Sequence, residues 1–304
     1  MRVALFLLAA LISILPSAAQ GGAKPPFNST ASQNVSIIDT AFYIPQLNRK
    51  RRVLVYLPEN YTTSGNYRYP VLYMHDGQNV FDAATSFAGE WGVDEFLDTA
   101  FIKTCIVVAV DNGSDKRMNE YCPYDFTLNP NNPKGNKGEG KQYVDFLVKT
   151  LKPFIDKKYR TLKDSRNTFI AGASMGGLIS LYAVLKYPKV FGGAGVFSPS
   201  VWICKEELLQ LIKTTGRKVK SNIYFYCGKQ EGPGMVPDML KAFEALAKVS
   251  KSKIKVVIRD DGKHNEPTWR KEFPCGYVWM LYGAEPVKIE TMHSGGMKIE
   301  GCFR

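Results

Sequence analysis

Gly172-Ala173-Ser174-Met175-Gly176-Gly177 follows the apolar run 167–171 and leads into a helix-like segment that opens Gly177-Leu178-Ile179. A strand, a serine between small residues and a helix make a sharp strand-to-helix turn, the setting of a nucleophile elbow. The small neighbours let the chain turn tightly. The helix behind the serine points its unpaired N–H groups and the positive end of its dipole at the reacting atom. Ser174 is the candidate nucleophile.

Outward from this turn, apolar and β-branched runs recur at 35–44, 52–57, 70–75, 105–111, 168–172, 192–197, 222–227 and 254–259, and read as strands. Helix-like segments lie at 91–100, 142–158, 175–187, 205–214, 236–250 and 267–281. Their alternation predicts an α/β-hydrolase fold: a mainly parallel central sheet covered by helices on both faces. The early strands, with no helix between them, are expected to begin it antiparallel. The segment 129–140, rich in Asn, Pro, Gly and Lys, is expected as an exposed loop near the substrate entrance.

A serine hydroxyl needs a base to take its proton, and the chain has three histidines, His75, His264 and His293. His264 follows the strand 254–259 and the turn Asp260-Asp261-Gly262-Lys263, on the sheet edge that carries the elbow. It is the candidate base. His75 ends a strand before Asp76-Gly77 and is expected to pack or support the site, and His293 lies in the tail. The acid that orients the imidazole is assigned to Glu231, which follows 222–227 through Gly228-Lys229-Gln230. Asp238 is the alternative. Ser174, Glu231 and His264 then stand in α/β-hydrolase order. Two N–H donors must meet the oxyanion. Met175, after the nucleophile, supplies one, and Gln78 in the turn His75-Asp76-Gly77-Gln78-Asn79 is the candidate for the other. Trp202, Trp91 and Asp76 are the candidate substrate-binding residues, with Trp269 close behind the base; core packing is the competing reading of each tryptophan.

The stretches Tyr73-Met74-His75-Asp76-Gly77-Gln78-Asn79-Val80-Phe81-Asp82, Gly172 to Gly177, Cys227-Gly228-Lys229-Gln230-Glu231 and Gly262-Lys263-His264-Asn265 together resemble the esterase D-like "putative esterase" family of the α/β-hydrolase superfamily. That family includes feruloyl and acetylxylan esterases, enterobactin-type siderophore esterases, S-formylglutathione hydrolase and the mycolyltransferases. The resemblance implies the same assignments, Ser174, His264, Glu231, Met175 and Gln78, and a reaction that needs no metal or organic cofactor. It implies a serine carboxylesterase acting on a small-molecule or polysaccharide-linked ester, with feruloyl or acetyl carbohydrate esters first. Siderophore esterase, acyltransferase and non-catalytic carbohydrate or siderophore binder are the alternatives.

Met1-Arg2, the apolar run 3–15 and Pro16-Ser17-Ala18-Ala19 have the three parts of a secretory signal. Cleavage is expected near Ala19, giving a secreted or periplasmic product without stable membrane insertion. Export argues against a thioesterase role in the cytosol. The expected organisation is signal peptide 1–19, flexible leader 20–34, catalytic domain 35–282 and tail 283–304. A net charge of +12 is spread over several helix-like segments, which does not form a nucleic-acid module. Six cysteines are compatible with disulfides in an exported chain. Cys105 and Cys227 sit in strand-like runs and are expected as buried thiols, whereas Cys275 and Cys302 are placed to staple the tail to the last helix. Non-reducing peptide mapping is expected to recover Cys275 and Cys302 in one linked species; finding both thiols free would remove the staple.

Overall fold

The computed structural model describes residues 28–100, 102, 104–128 and 135–284. The expected signal segment 1–19, His293, Cys302 and all but the first two residues of the tail 283–304 lie outside the described residues. The strands are β1 (Val35–Ile44), β2 (Arg49–Tyr56), β3 (Val71–Met74), β4 (Ile106–Val110), β5 (Thr168–Ala173), β6 (Gly193–Phe197), β7 (Asn222–Gly228) and β8 (Lys253–Arg259). They form one sheet in the order β1-β2-β4-β3-β5-β6-β7-β8. β1 and β2 pair antiparallel with each other, β2 pairs antiparallel with β4, and every later pairing is parallel. The sequence-based expectation of an antiparallel start and a parallel body holds.

Eight helices cover the sheet among the described residues: α1 (Val93–Thr99), α2 (Arg117–Tyr121), α3 (Gly140–Phe146), α4 (Lys152–Lys158), α5 (Met175–Lys186), α6 (Lys205–Thr215), α7 (Met235–Val249) and α8 (Glu266–Tyr282). The two faces bury separate cores. Val53 and Val55 of β2 join the core under α2 to α7, while Leu54 and Tyr56 join the core under α1 and α8, as the two-residue period of a strand requires. Central β3, β5 and β6 are buried along their whole length, which is why they read as continuous apolar runs. From Met175 to Leu185, α5 is buried on all sides.

The predicted helix 142–158 is one helical path interrupted by a π turn at Leu147–Leu151, between α3 and α4. Pro153 stands in the first turn of α4. It cannot donate a hydrogen bond and its ring crowds the carbonyl one turn back, so the wider turn accommodates it. Helix α2 gave no sequence signal, because its 5 residues are too few to show a periodicity. Residues 28–34, expected as part of a flexible leader, are tied to the body: Ser29 and Thr30 bond Asp82, Thr30 also bonds Glu90, and Ser32 N–H donates to Asp94.

The outer strands differ from the centre. β1 carries register shifts between Ile37 and Asp39 and between Asp39 and Phe42, and β8 carries Lys253, Lys255 and Arg259 along the opposite edge. Cys105 and Cys227 are buried thiols. Cys122 and Cys204 are buried free thiols too. Cys275 is disulfide-bonded. No helix of the described residues is long and apolar enough to cross a membrane.

Phe197, at the end of β6, is fully buried and packs edge-on against Trp91 at 5.1 Å, with Tyr224 and Tyr226 on its other sides. Phe197→Ala is expected to cost about 3–5 kcal/mol of unfolding free energy, read as a lower urea midpoint with an unchanged slope.

Candidate active site

The register of the parallel strands assembles the site. Ala173 pairs with Phe197, and Phe197 with Tyr226, so the residues after β5, β6 and β7 leave the sheet together. Ser174 lies directly after β5 with φ 61° and ψ −120°, a backbone conformation that a non-glycine residue adopts only when its surroundings impose it. Two main-chain bonds do so: Ser174 N–H donates to Phe197 O at 2.9 Å, and Ser200 N–H donates to Ser174 O at 3.1 Å. The turn leaves no room for a side chain at Gly177, where a Cβ would stand 2.6 Å from Phe197 O. Met175 is the first residue of α5, so its N–H has no partner within the helix.

Glu231 and His264 are brought together by a close approach of two loops. A Cβ on Gly228 would lie 2.2 Å from the Gly262 carbonyl carbon, and Gln230 N–H donates to Gly262 O at 3.0 Å. Across this contact His264 Nδ1 stands 2.9 Å from Glu231 Oε2, the imidazole partly exposed and the carboxylate fully buried. Glu231 Oε1 accepts from Ser198 Oγ at 2.7 Å and from Gly228 N–H at 2.6 Å. The other candidate acid, Asp238, is occupied elsewhere, in an ion pair with Lys205 at 3.1 Å. Ser174 Oγ is hydrogen-bonded to Ser200 Oγ at 3.2 Å, so its resting rotamer is held by a hydroxyl.

The turn after β3 is built around Asp76, whose φ is 55°. Its carboxylate is clamped in a fork by Arg117, with contacts of 2.6 and 2.8 Å, and accepts from Asn112 Nδ2 at 2.6 Å. A bidentate guanidinium contact fixes direction as well as distance. Asp76 is thereby committed to the loop rather than turned outward. The Gln78 side chain is tied to the loop after β4, its Oε1 accepting from Asn112 N–H at 3.1 Å. Asn79 Nδ2 donates to Glu266 Oε1 at 3.0 Å, joining the turn to α8.

Trp91 is buried in the core beneath α8, stacked on Trp269 at 5.8 Å. Trp202 is 49% exposed and lines a cleft of about 420 Å³ with Asp125, Asn136, Glu206 and Glu207. Of the candidate substrate residues it is the one open to solvent. Sequence reasoning missed Arg117, Asn112, Ser198 and Ser200. Asn112 and Ser198 both directly follow strand segments at the catalytic edge, which is the signal that could have found them; Arg117 had none.

His75 lies beneath the elbow, fully buried, with Nδ1 2.9 Å from Tyr143 Oη and no hydrogen-bond partner for Nε2 among the described residues. Burial pushes its ring down to about 4, outweighing the pull of Asp76. It supports the turn as a neutral ring.

A parallel sheet with a serine elbow and a paired Glu and His on its carboxyl edge has the form of an α/β-hydrolase. A family model described as "Putative esterase" matches residues 44–280, and the chain belongs to that family of ester-hydrolysing enzymes. It is 26% identical over 245 residues to the uncharacterized protein YbbA of Bacillus subtilis, covering 77% of this chain and 93% of the relative. An endo-1,4-beta-xylanase/feruloyl esterase of Xylanibacter ruminicola is 27% identical over 241 residues, 78% of this chain but 30% of that longer protein. Among solved structures, the siderophore hydrolase EstB of Aspergillus nidulans superposes with a TM-score of 0.62 at 17% identity, covering 84% of this chain and 98% of its own.

The neutral His75 makes stability pH-dependent. The unfolded ring takes up a proton near pH 6.5, whereas the folded ring resists it down to about 4. Stability from this group is full above pH 6.5 and is lost as pH falls towards 4. The urea midpoint of the wild-type chain is expected to fall across that window more steeply than that of His75→Asn, and equal slopes would refute the assignment.

Proposed function

We propose that this chain is a serine carboxylesterase in which Ser174 is the nucleophile, His264 the general base and Glu231 the orienting acid, with Met175 and Gln78 N–H groups receiving the oxyanion. The observation that carries the reading is the 2.9 Å contact of His264 Nδ1 with the buried Glu231 carboxylate, one loop away from a serine in the elbow conformation. A carboxylate on Nδ1 keeps the proton there and leaves Nε2 free to accept the serine proton.

In the first half-reaction Ser174 exchanges its Ser200 partner for His264 and attacks the ester carbonyl. Its proton passes to Nε2, and the imidazolium is stabilised by Glu231. The tetrahedral oxyanion meets the N–H groups at the start of α5 and in the Gly77–Asn79 turn. Collapse expels the alcohol with the proton from His264. Water then attacks the acyl-enzyme by the same route in reverse. No step requires a metal or an organic cofactor.

The substrate we favour is a carbohydrate-linked feruloyl or acetyl ester. Two residues beyond Ser200, the hydrogen-bond partner of Ser174, the half-exposed Trp202 offers an aromatic plane flanked by Asp125, Asn136 and Glu206, a surface suited to a sugar or aryl ring, and the Xylanibacter relative is named a feruloyl esterase. Export is proposed from residues 1–19, and the disulfide at Cys275 accords with an oxidising compartment. Residues 35–282 are proposed as the catalytic domain.

The test compares the wild-type protein with Ser174→Ala on p-nitrophenyl acetate, methyl ferulate, acetylated xylan and a ferric catecholate siderophore. Turnover is expected to fall by about a thousandfold or more in the variant, with methyl ferulate or acetylated xylan the best natural-type substrate. Unchanged turnover in the variant would sink the assignment, and preference for the siderophore would replace the substrate class while leaving the mechanism.

A further inference from the structure

Glu231 is buried, and each of its oxygens has a defined partner. Oε2 faces His264, while Oε1 accepts the Ser198 hydroxyl at 2.7 Å and Gly228 N–H at 2.6 Å. The Ser198 hydroxyl itself accepts from Trp269 Nε1 at 2.9 Å. The direction of this chain is set at its far end, because an indole nitrogen can only donate. Ser198 Oγ must accept there, so its single proton is delivered to the carboxylate. Every member is held in place: Ser198 has no exposed surface, its φ is 43°, and its N–H donates to Tyr226 O at 2.6 Å. Trp269 is wedged between Trp91, stacked at 5.8 Å, and the edge of the His264 ring at 5.0 Å.

We infer that Trp269 and Ser198 are positioning residues for the esterase reaction: the indole N–H orients the Ser198 hydroxyl, which orients the Glu231 carboxylate towards His264. The inference rests on the proposed roles of Ser174, His264 and Glu231. A buried carboxylate that lacks donors is free to turn about its terminal torsion and is costly to keep charged. With Ser198 and Gly228 both on Oε1, the other oxygen is left to His264 in one orientation. The benefit falls on the transition state, where the imidazole becomes charged, and not on substrate binding. Removing the relay should therefore lower kcat and leave KM in place.

The experiment is a double-mutant cycle on the full-length chain with p-nitrophenyl acetate, using Trp269→Phe, Ser198→Ala and the pair, with Ser174→Ala alongside. Phe keeps the aromatic wall against His264 and Trp91 but has no N–H. Each single variant is expected to lose about tenfold in kcat, the effect of removing one buried orienting hydrogen bond, with KM within about twofold. The pair should be no slower than Ser198→Ala alone, since the indole then has no hydroxyl to orient. Losses that multiply would overturn the relay, as would a Trp269→Phe enzyme with wild-type kcat. Should Trp269→Phe fail to fold, the indole ¹H–¹⁵N resonances decide: in Ser198→Ala one of them is expected to move markedly, and an unchanged set overturns the proposal. Retained activity in Ser174→Ala would instead mark failure of the underlying triad reading.

Discussion

Ser174 sits in a backbone conformation that its surroundings impose, and the two main-chain bonds that hold it come from the last residue of β5's neighbour, β6, and from the turn that follows it. That places a condition on the sheet: β5 and β6 must pair in a register that ends them together. The bare α-carbon of Gly177 lets the β6 carbonyl come close enough to accept. Much of the neighbouring architecture extends the same condition outward. β7 ends beside β6, so Glu231 emerges near the elbow, and Gly228 touching Gly262 brings the loop of His264 over it. The strained Ser174 is thus held where the strands are buried on both faces.

The charged clamp on the other side of the elbow obeys a different logic. Asp76 is in a left-handed conformation, and its carboxylate is surrounded by Arg117 and Asn112. A lone buried carboxylate would be unfavourable, but a forked guanidinium contact with a further amide donor satisfies it. The turn that carries Gln78 is therefore held by side chains from the loop after β4 and from α2, rather than by sheet pairing. Its accuracy depends on α2, a helix of little more than one turn.

The difference between those two halves explains what could be read in the chain beforehand. The alternation of apolar runs and helices gave the sheet, its antiparallel start and its parallel body, because burial on both faces leaves continuous apolar strands. The placement of Ser174, Glu231 and His264 on one edge was legible because each follows a strand there, and edge position is a property of local order. Arg117 was not, since it reaches Asp76 across 41 residues of sequence from a helix too short to show a period. Trp91 and Trp202 looked equivalent in the sequence, yet one is stacked in a core and the other faces solvent. That outcome depends on which helix covers which face, and composition does not carry it. The tie of residues 28–34 to Asp82, Glu90 and Asp94 was hidden for the same reason: Ser, Thr and Asn read as loop residues whether or not acceptors await them.

An open sheet has two rims, and each could in principle recruit an extended segment from another molecule while the chain is folding or crowded. β1 departs from regular spacing at two places, so its free N–H and C=O groups do not present the even ladder that an incoming strand needs. β8 sets Lys253 and Lys255 on the far rim, where a second copy would bring like charge against like. The sheet that fixes the catalytic edge is in this way closed to lengthening at both ends, and its strand count is protected without the closure of a barrel.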